Sequence, residues 1–264
     1  MTMQPNRSSL SVIVPVFNEE AEIPTILPAI RQALEDRGGE WEIIVVDNAS
    51  TDATVQCMQV HLEDPRIGLL RNEVNRGKGY SVRRGMLKAR GELRLMCDAD
   101  CAASLASLPA MEGAAVNADV VAGVRNAPDS RVVRHQPLYR RTVSLGFILL
   151  CRTVMSEPLR DVFCGFKLFR AAAAQEVFTR SRIDGWVFDA EALALARALG
   201  FEVRACGIAW LNRPASRLSI PRVVVPAVRE LIRARVYVRR EVRPAQGTAA
   251  VGSPEAAAKS EQAN

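Results

Sequence analysis

Short runs of apolar and β-branched residues at 10–16, 41–47, 92–97 and 118–123 alternate with segments at 20–36, 52–63 and 79–89 whose apolar residues recur at helical spacing. This alternation of periods constrains the fold more than any other feature, because strands separated by helices build βαβ units. The runs are apolar nearly throughout, as strands covered on both faces are. A mostly parallel α/β sheet with helices on both faces is therefore predicted, and such sheets bind ligands beyond the carboxyl ends of their strands. Further along, an apolar helix is expected over 142–155, a turn and helix over 182–200, and a strand over 201–207. With 264 residues and 48% hydrophobic content, the chain can bury one sizeable core. It divides into an extension at 1–9, a domain at 10–217, a basic amphipathic helix at 218–243 and a tail at 244–264 whose Ala, Gly, Ser, Gln and Pro predict disorder.

Lysine and arginine number 35 against 29 acidic residues, a net charge of +6 that suggests anionic partners. Aromatic residues make up only 5% and are not interleaved with the basic ones, which argues against nucleic acid. His61 and His135 are the only histidines, so a three-histidine metal cage is excluded and hydrolase chemistry has few bases to draw on. Six cysteines form no C-x-x-C pair and no leader pattern precedes the first strand, so a reduced, cytoplasmic protein is expected. No window reaches the roughly 18 apolar residues of a spanning helix.

The polar residues after the predicted strands carry the chemistry. They are Asn18 and Glu19, Asp47 and Asn48, and Asp98-Ala99-Asp100. Each acid alone reads equally well as a helix cap or turn residue. Three acidic clusters at successive strand ends would gather negative charge on one rim, which calls for a cation or for ligand donors. Asp98 and Asp100, flanking one small residue, can converge on a hard cation that also takes diphosphate oxygens, and this oxygen-rich set favours Mg²⁺ or Mn²⁺. Lys78 stands between Gly77 and Gly79, where the backbone can approach a phosphate, although the same triplet suits a loop with a solvated lysine. Cys101 beside them reads as a buried structural thiol.

The motifs Pro15-Val-Phe-Asn-Glu19, Val45-Val-Asp-Asn-Ala-Ser-Thr-Asp52, Asn75-Arg-Gly-Lys-Gly79 with Arg84-Gly85, and Asp98-Ala-Asp100 have the order and spacing of glycosyltransferase family 2. The stretch Asp161 to Arg170 resembles its polyprenyl-phosphate branch, the dolichyl-phosphate glucosyltransferases first and the mannosyltransferases next. The resemblance implies a GT-A fold and a sugar nucleotide donor, either UDP-glucose or GDP-mannose. It places Pro15, Asn18, Glu19 and Asp47 at the base and ribose, Lys78 near the diphosphate, and Asp98 and Asp100 at the sugar nucleotide and metal. Mannosyltransferase relatives carry a glutamine where this chain has Ala102, which removes one protein ligand from the metal. Asp189 and Glu191 match the acidic helix start of the glucosyltransferase branch, close to the sugar or acceptor, although a helix N-terminus favours acids whatever their role. Arg125, Arg140 and Ser144 fall near the acceptor phosphate of the mannosyltransferases, and Lys167 and Arg170 join the same basic cluster with Arg131, Arg134 and Arg141.

These readings predict an inverting transfer of a hexose, glucose by preference, to a polyprenyl phosphate at the cytoplasmic face of a membrane. The basic helix over 221–243 would lie on that surface or pack on the domain with its arginines exposed. A soluble or glycan hydroxyl acceptor would instead need Asp189 or Glu191 as its base. A catalytically silent, membrane-docked protein is the alternative of another class.

Overall fold

The computed structural model describes residues 7–125, 131–132, 146, 149–151, 153–154, 158, 161–210 and 220–241. Seven strands form one sheet in the order β3-β2-β1-β4-β7-β5-β8. The first four are β1 (Leu10–Val16), β2 (Trp41–Asp47), β3 (Ile67–Arg71) and β4 (Leu93–Cys97), all parallel. The others are β5 (Val120–Val124), β7 (Phe166–Arg170) and β8 (Val203–Gly207), of which β7 runs antiparallel to both its neighbours. A separate ribbon pairs β6 (Arg131–Val132) with β9 (Ala209–Trp210). The predicted sheet is present, with β3 and β7 as additions. Ile-Gly-Leu-Leu-Arg is too short and too interrupted by glycine to stand out as a strand.

Alternation along β1 and β2 sorts the core onto two faces. Leu10, Val12, Val14, Ile43 and Val45 pack with α1 (Ile23–Arg37) and α4 (Leu108–Ala115). Ile13, Ile44 and Val46 pack on the opposite face with residues of α3 (Lys78–Lys88), α5 (Ala171–Arg180), α6 (Phe188–Ala198) and α7 (Ile220–Glu241). A short helix α2 (Thr54–Met58) follows β2.

Two features open a crevice. The chain runs from β1 outward through β2 to β3 and then returns to place β4 on the other side of β1, so the direction of winding reverses there. Pairing of β1 with β4 ends at Ile13 and Met96, whereas pairing with β2 continues to Val16 and Asp47. Pro15, which has no N–H to give a ladder, lies beyond the last β4 pair.

Helix α7 places Ala227, Leu231, Ala234 and Val238 against the domain. Its other side exposes Arg229, Arg233, Arg239 and Arg240 together with Ile232 and Val236. Among the described residues, no helix is long and apolar enough to cross a membrane. The tail at 244–264 and most of the helix expected over 142–155 lie outside the described residues.

Candidate active site

The loops after β1 and β2 are tied to one another side chain to backbone. Asn18 donates its N–H to Ser50 Oγ at 2.9 Å and accepts from Thr51 N through Oδ1 at 2.9 Å. Glu19 N donates to Thr54 Oγ1 at 2.8 Å, and the Glu19 carbonyl starts α1. Asn18 and Ala49 sit at φ 55 and 62, a left-handed conformation that asparagine tolerates and alanine does not favour. That strain lies at the rim of the crevice, where it shapes a concave backbone surface.

Asp47 is fully buried. Its Oδ1 accepts from Ser50 N at 3.1 Å and its Oδ2 from Arg71 Nε at 3.4 Å. The carboxylate therefore shapes the loop after β2. An amide chain that the sequence reading left without a role backs it, with Asn72 Nδ2 donating to Asn48 Oδ1 at 2.9 Å and Asn48 Nδ2 to Asn75 Oδ1 at 2.8 Å. This chain holds the segment leading into α3.

Gly77 precedes α3 at φ 108, and a Cβ there would come within 2.3 Å of the Asp184 carbonyl. Only glycine lets this turn press against the segment before α6, and the turn delivers Lys78 to the crevice. Lys78 Nζ donates to Asp98 Oδ2 at 2.5 Å and lies 5.5 Å from the Trp186 ring centre and 5.7 Å from that of Phe188. Burial would lower its pKa, but the carboxylates of Asp98 and Asp189 raise it, so it stays a cation.

Asp98 follows β4, and its N–H donates to the Gly165 carbonyl at 2.9 Å. A Cβ on Gly165 would lie 1.8 Å from Asp98 Oδ2, so glycine at the start of β7 is what leaves room for the carboxylate. Asp98 Oδ1 is buried without a hydrogen-bond partner. Asp100 is exposed, and partial desolvation in the concave rim together with the Asp98 charge raises its carboxyl above the usual range. Cys101 is buried, its thiol directed at Asp100 Oδ1 and the Gly165 carbonyl, both at 3.6 Å, so it fills space as the sequence predicted. Among the described residues, no three His, Cys, Asp or Glu side chains converge on a cation position. Asp98 and Asp100 are the carboxylates available, and the unpartnered Oδ1 suits contact with a cation or a ligand donor.

Several predicted residues fall elsewhere. Glu191 is fully buried and accepts from Ser181 Oγ at 2.6 Å, Arg182 N at 3.1 Å and Ile183 N at 3.0 Å through its two oxygens. It ties the segment before α6 to the helix, and that full set of donors removes it from the catalytic group. Asp189 is 3% exposed and accepts from Lys167 Nζ at 2.5 Å. Burial raises its carboxyl, and the ammoniums of Lys167 and Lys78 oppose that rise. Asp189 thus stands behind Lys78 as a counter-charge.

Lys167 is itself buried, its Nζ spent on Asp189 and, at 2.6 Å, on the Cys164 carbonyl, so it is no acceptor-phosphate ligand. Arg170, expected in the acceptor-phosphate cluster, also lies elsewhere. Because β7 runs antiparallel, Arg170 pairs with Leu93 at the far end of β4 from Asp98, and its guanidinium donates to the carbonyls of Ala115 and Ala118. Arg125 does reach the crevice side, where it meets Asp161 through two bonds of 2.7 Å and faces the Trp210 ring at 5.0 Å. Arg140 and Ser144 lie outside the described residues.

A mostly parallel sheet covered by helices, with an acidic pair at a strand end beside its winding reversal, is a GT-A fold. Solved structures share the fold, among them glucosyl-3-phosphoglycerate synthase of Mycobacterium tuberculosis in complex with Mn²⁺, UDP and phosphoglyceric acid. That fold matches with a TM-score of 0.64 and 17% identity, covering 88% of this chain and 78% of the other. The sequence pattern of Glycosyl transferase family 2 matches residues 11–178, and the chain belongs to that family of glycosyltransferases. It is 30% identical over 240 residues to the dolichyl-phosphate beta-glucosyltransferase of Dictyostelium discoideum, covering 86% of this chain and 73% of that protein. To the enzymes of the same name from Saccharomyces cerevisiae and Homo sapiens it is 29% identical, covering 84% and 79% of this chain and 73% and 69% of theirs.

Proposed function

We propose that the protein transfers glucose from UDP-glucose to a polyprenyl phosphate, giving a β-linked glucosyl phospholipid and UDP. The observation that carries this reading is the Lys78–Asp98 pair at the crevice, with Asp98 Oδ1 left without a partner, in a chain similar over most of its length to dolichyl-phosphate beta-glucosyltransferases. Lys78 would take the donor diphosphate, and the loops after β1 and β2 would cradle the nucleoside. An oxygen of the acceptor phosphate attacks C1 of the hexose as the bond from C1 to the UDP oxygen breaks, the electron pair leaving with UDP. An α-linked donor thereby becomes a β-linked product.

Asp98 and Asp100 would hold Mg²⁺ or Mn²⁺ together with diphosphate oxygens and water. Bound there, the cation would offset charge on the leaving diphosphate. No side chain need remove a proton, because a phosphate monoester has its second pKa near 6 and is largely a dianion at neutral pH. This agrees with a site in which Asp189 is paired to Lys167 and Glu191 is fully bonded. The exposed face of α7, with four arginines beside Ile232 and Val236, suits the surface of an anionic membrane, and the proposed location is peripheral on the cytoplasmic face.

The test is transfer of radiolabel from UDP-glucose and, separately, GDP-mannose into butanol-extractable polyprenyl phosphate, with Mg²⁺, Mn²⁺ or EDTA. Label in the lipid from UDP-glucose is the expected result. The rate should rise through about pH 6 and then level. Label only in a soluble product would replace the lipid acceptor with a hydroxyl.

A further inference from the structure

The segment between Glu191's anchors and α6 carries Trp186. Among the described residues the exposed large aromatic side chains are Phe17, at 43%, and Trp186, at 48%. An indole that open to water is held in place with some care. Asp184, two residues earlier, receives Arg76 Nη2 at 2.9 Å and Arg83 Nη2 at 2.5 Å, and its carbonyl receives Tyr80 N at 3.2 Å, all from α3 or the turn before it. Glu191 holds Arg182 and Ile183, the residues just before Asp184. Trp186 therefore lies between a stretch anchored at 181–184 and the first turn of α6, with its ring one ammonium away from Asp98.

We infer that Trp186 is the platform for the transferred hexose and a determinant of its configuration. This rests on the proposed function, in which Lys78 meets the donor diphosphate. The hexose is joined to that diphosphate by one oxygen, so it must lie within a few bonds of the Lys78 ammonium, and the indole 5.5 Å from Nζ is at pyranose distance. The face of an aromatic ring carries negative charge density and attracts weakly positive C–H groups. A gluco-configured pyranose offers such C–H groups on both faces, its ring hydroxyls from C2 to C4 all being equatorial. An axial hydroxyl, as at C4 of galactose, interrupts one face and must be desolvated against the indole. Where the indole meets the face that bears the axial hydroxyl, the ligand class is a gluco-configured nucleotide hexose.

The experiment uses the full chain with UDP, UDP-glucose and UDP-galactose, so that the nucleotide is constant and only the sugar varies. Trp186→Leu is expected to raise KM for UDP-glucose about 3- to 10-fold, to leave inhibition by UDP unchanged, and to narrow the preference for UDP-glucose over UDP-galactose by a similar factor. Trp186→Phe should stay within about 2-fold of the native KM, since a ring remains. The fluorescence of the native protein should shift on adding UDP-glucose but not UDP, and the shift should vanish in Trp186→Phe, which retains Trp41 and Trp210. A full shift with UDP alone would assign the ring to the nucleotide, and a change confined to KM for the lipid would assign it to the acceptor. Either result, or an unaffected leucine variant, overturns the inference while native turnover upholds the function. If the native protein binds neither UDP nor UDP-glucose, the function falls and this inference with it.

Discussion

The loop after β4 and the first turn of α6 are both acid-rich, yet the fold treats their carboxylates oppositely. At α6, Glu191 has three donors from the preceding segment and Asp189 has a buried ammonium at 2.5 Å. After β4, Asp98 has one lysine, an oxygen with no partner, and Asp100 beside it raising the local negative charge. A carboxylate whose hydrogen bonds are all supplied by the chain is part of the scaffold. One with a buried oxygen short of donors is built for something the chain does not contain.

The largest effect should come from removing the ammonium that makes the α6 side self-sufficient. Lys167→Met leaves Asp189 buried without its partner, and breaking one side of such a pair costs about 3–5 kcal/mol of stability. A denaturant midpoint equal to that of the native protein would show that Asp189 does not depend on Lys167. Next comes Asp98→Asn, which keeps the shape and removes the charge. Losing one charge-stabilising group in a site of this kind lowers kcat by about 10²- to 10³-fold, and because Oδ1 is already unpartnered and the asparagine oxygen can still accept from Lys78, the melting temperature should fall less than in Lys167→Met. A large loss of stability with normal turnover would make Asp98 a scaffold residue like Glu191. Glu191→Ala should do the reverse. It leaves Ser181 Oγ and two backbone N–H groups without an acceptor, for a loss of about 1–3 kcal/mol in stability, while kcat per folded molecule stays near the native value.

This contrast also marks what was legible beforehand. The strand and helix periods placed β1, β2, β4 and β5 to within two residues, because each is an apolar run bounded by polar turns. The acids after those strands were legible as a group for the same reason. Donor counts were not legible, since the partners of Glu191 are eight to ten residues upstream and two of them are backbone N–H groups that any sequence would offer. The direction of β7 was hidden as well. Phe-Lys-Leu-Phe-Arg looks like one compact patch, but an antiparallel strand spreads it across the sheet, putting Lys167 opposite Met96 and Arg170 opposite Leu93. The role of Gly165 emerges only when the Asp98 carboxylate is seen occupying the space a Cβ would need.

The smallest predicted effect probes a third arrangement between these two extremes. Asp161 is buried, which alone would raise its carboxyl, yet the two-pronged contact with Arg125 and the bond from Arg125 N hold it below the usual carboxylate range. A carboxyl depressed in the folded state binds its proton more readily when unfolded. Its contribution to stability is therefore complete above the ordinary carboxylate pKa of about 4 and drains away as pH falls toward the folded value. Stability measured from pH 5 downward should fall with a slope containing up to about one proton from this group, near 1.4 kcal/mol per pH unit at most. In Asp161→Asn that component should be absent and the remaining slope shallower. Equal slopes in the two proteins would mean that Arg125 and Asp161 are not locked together in solution. Arg125 would then be available to an acceptor phosphate without first giving up a partner, which would move it to the Asp98 side of the comparison.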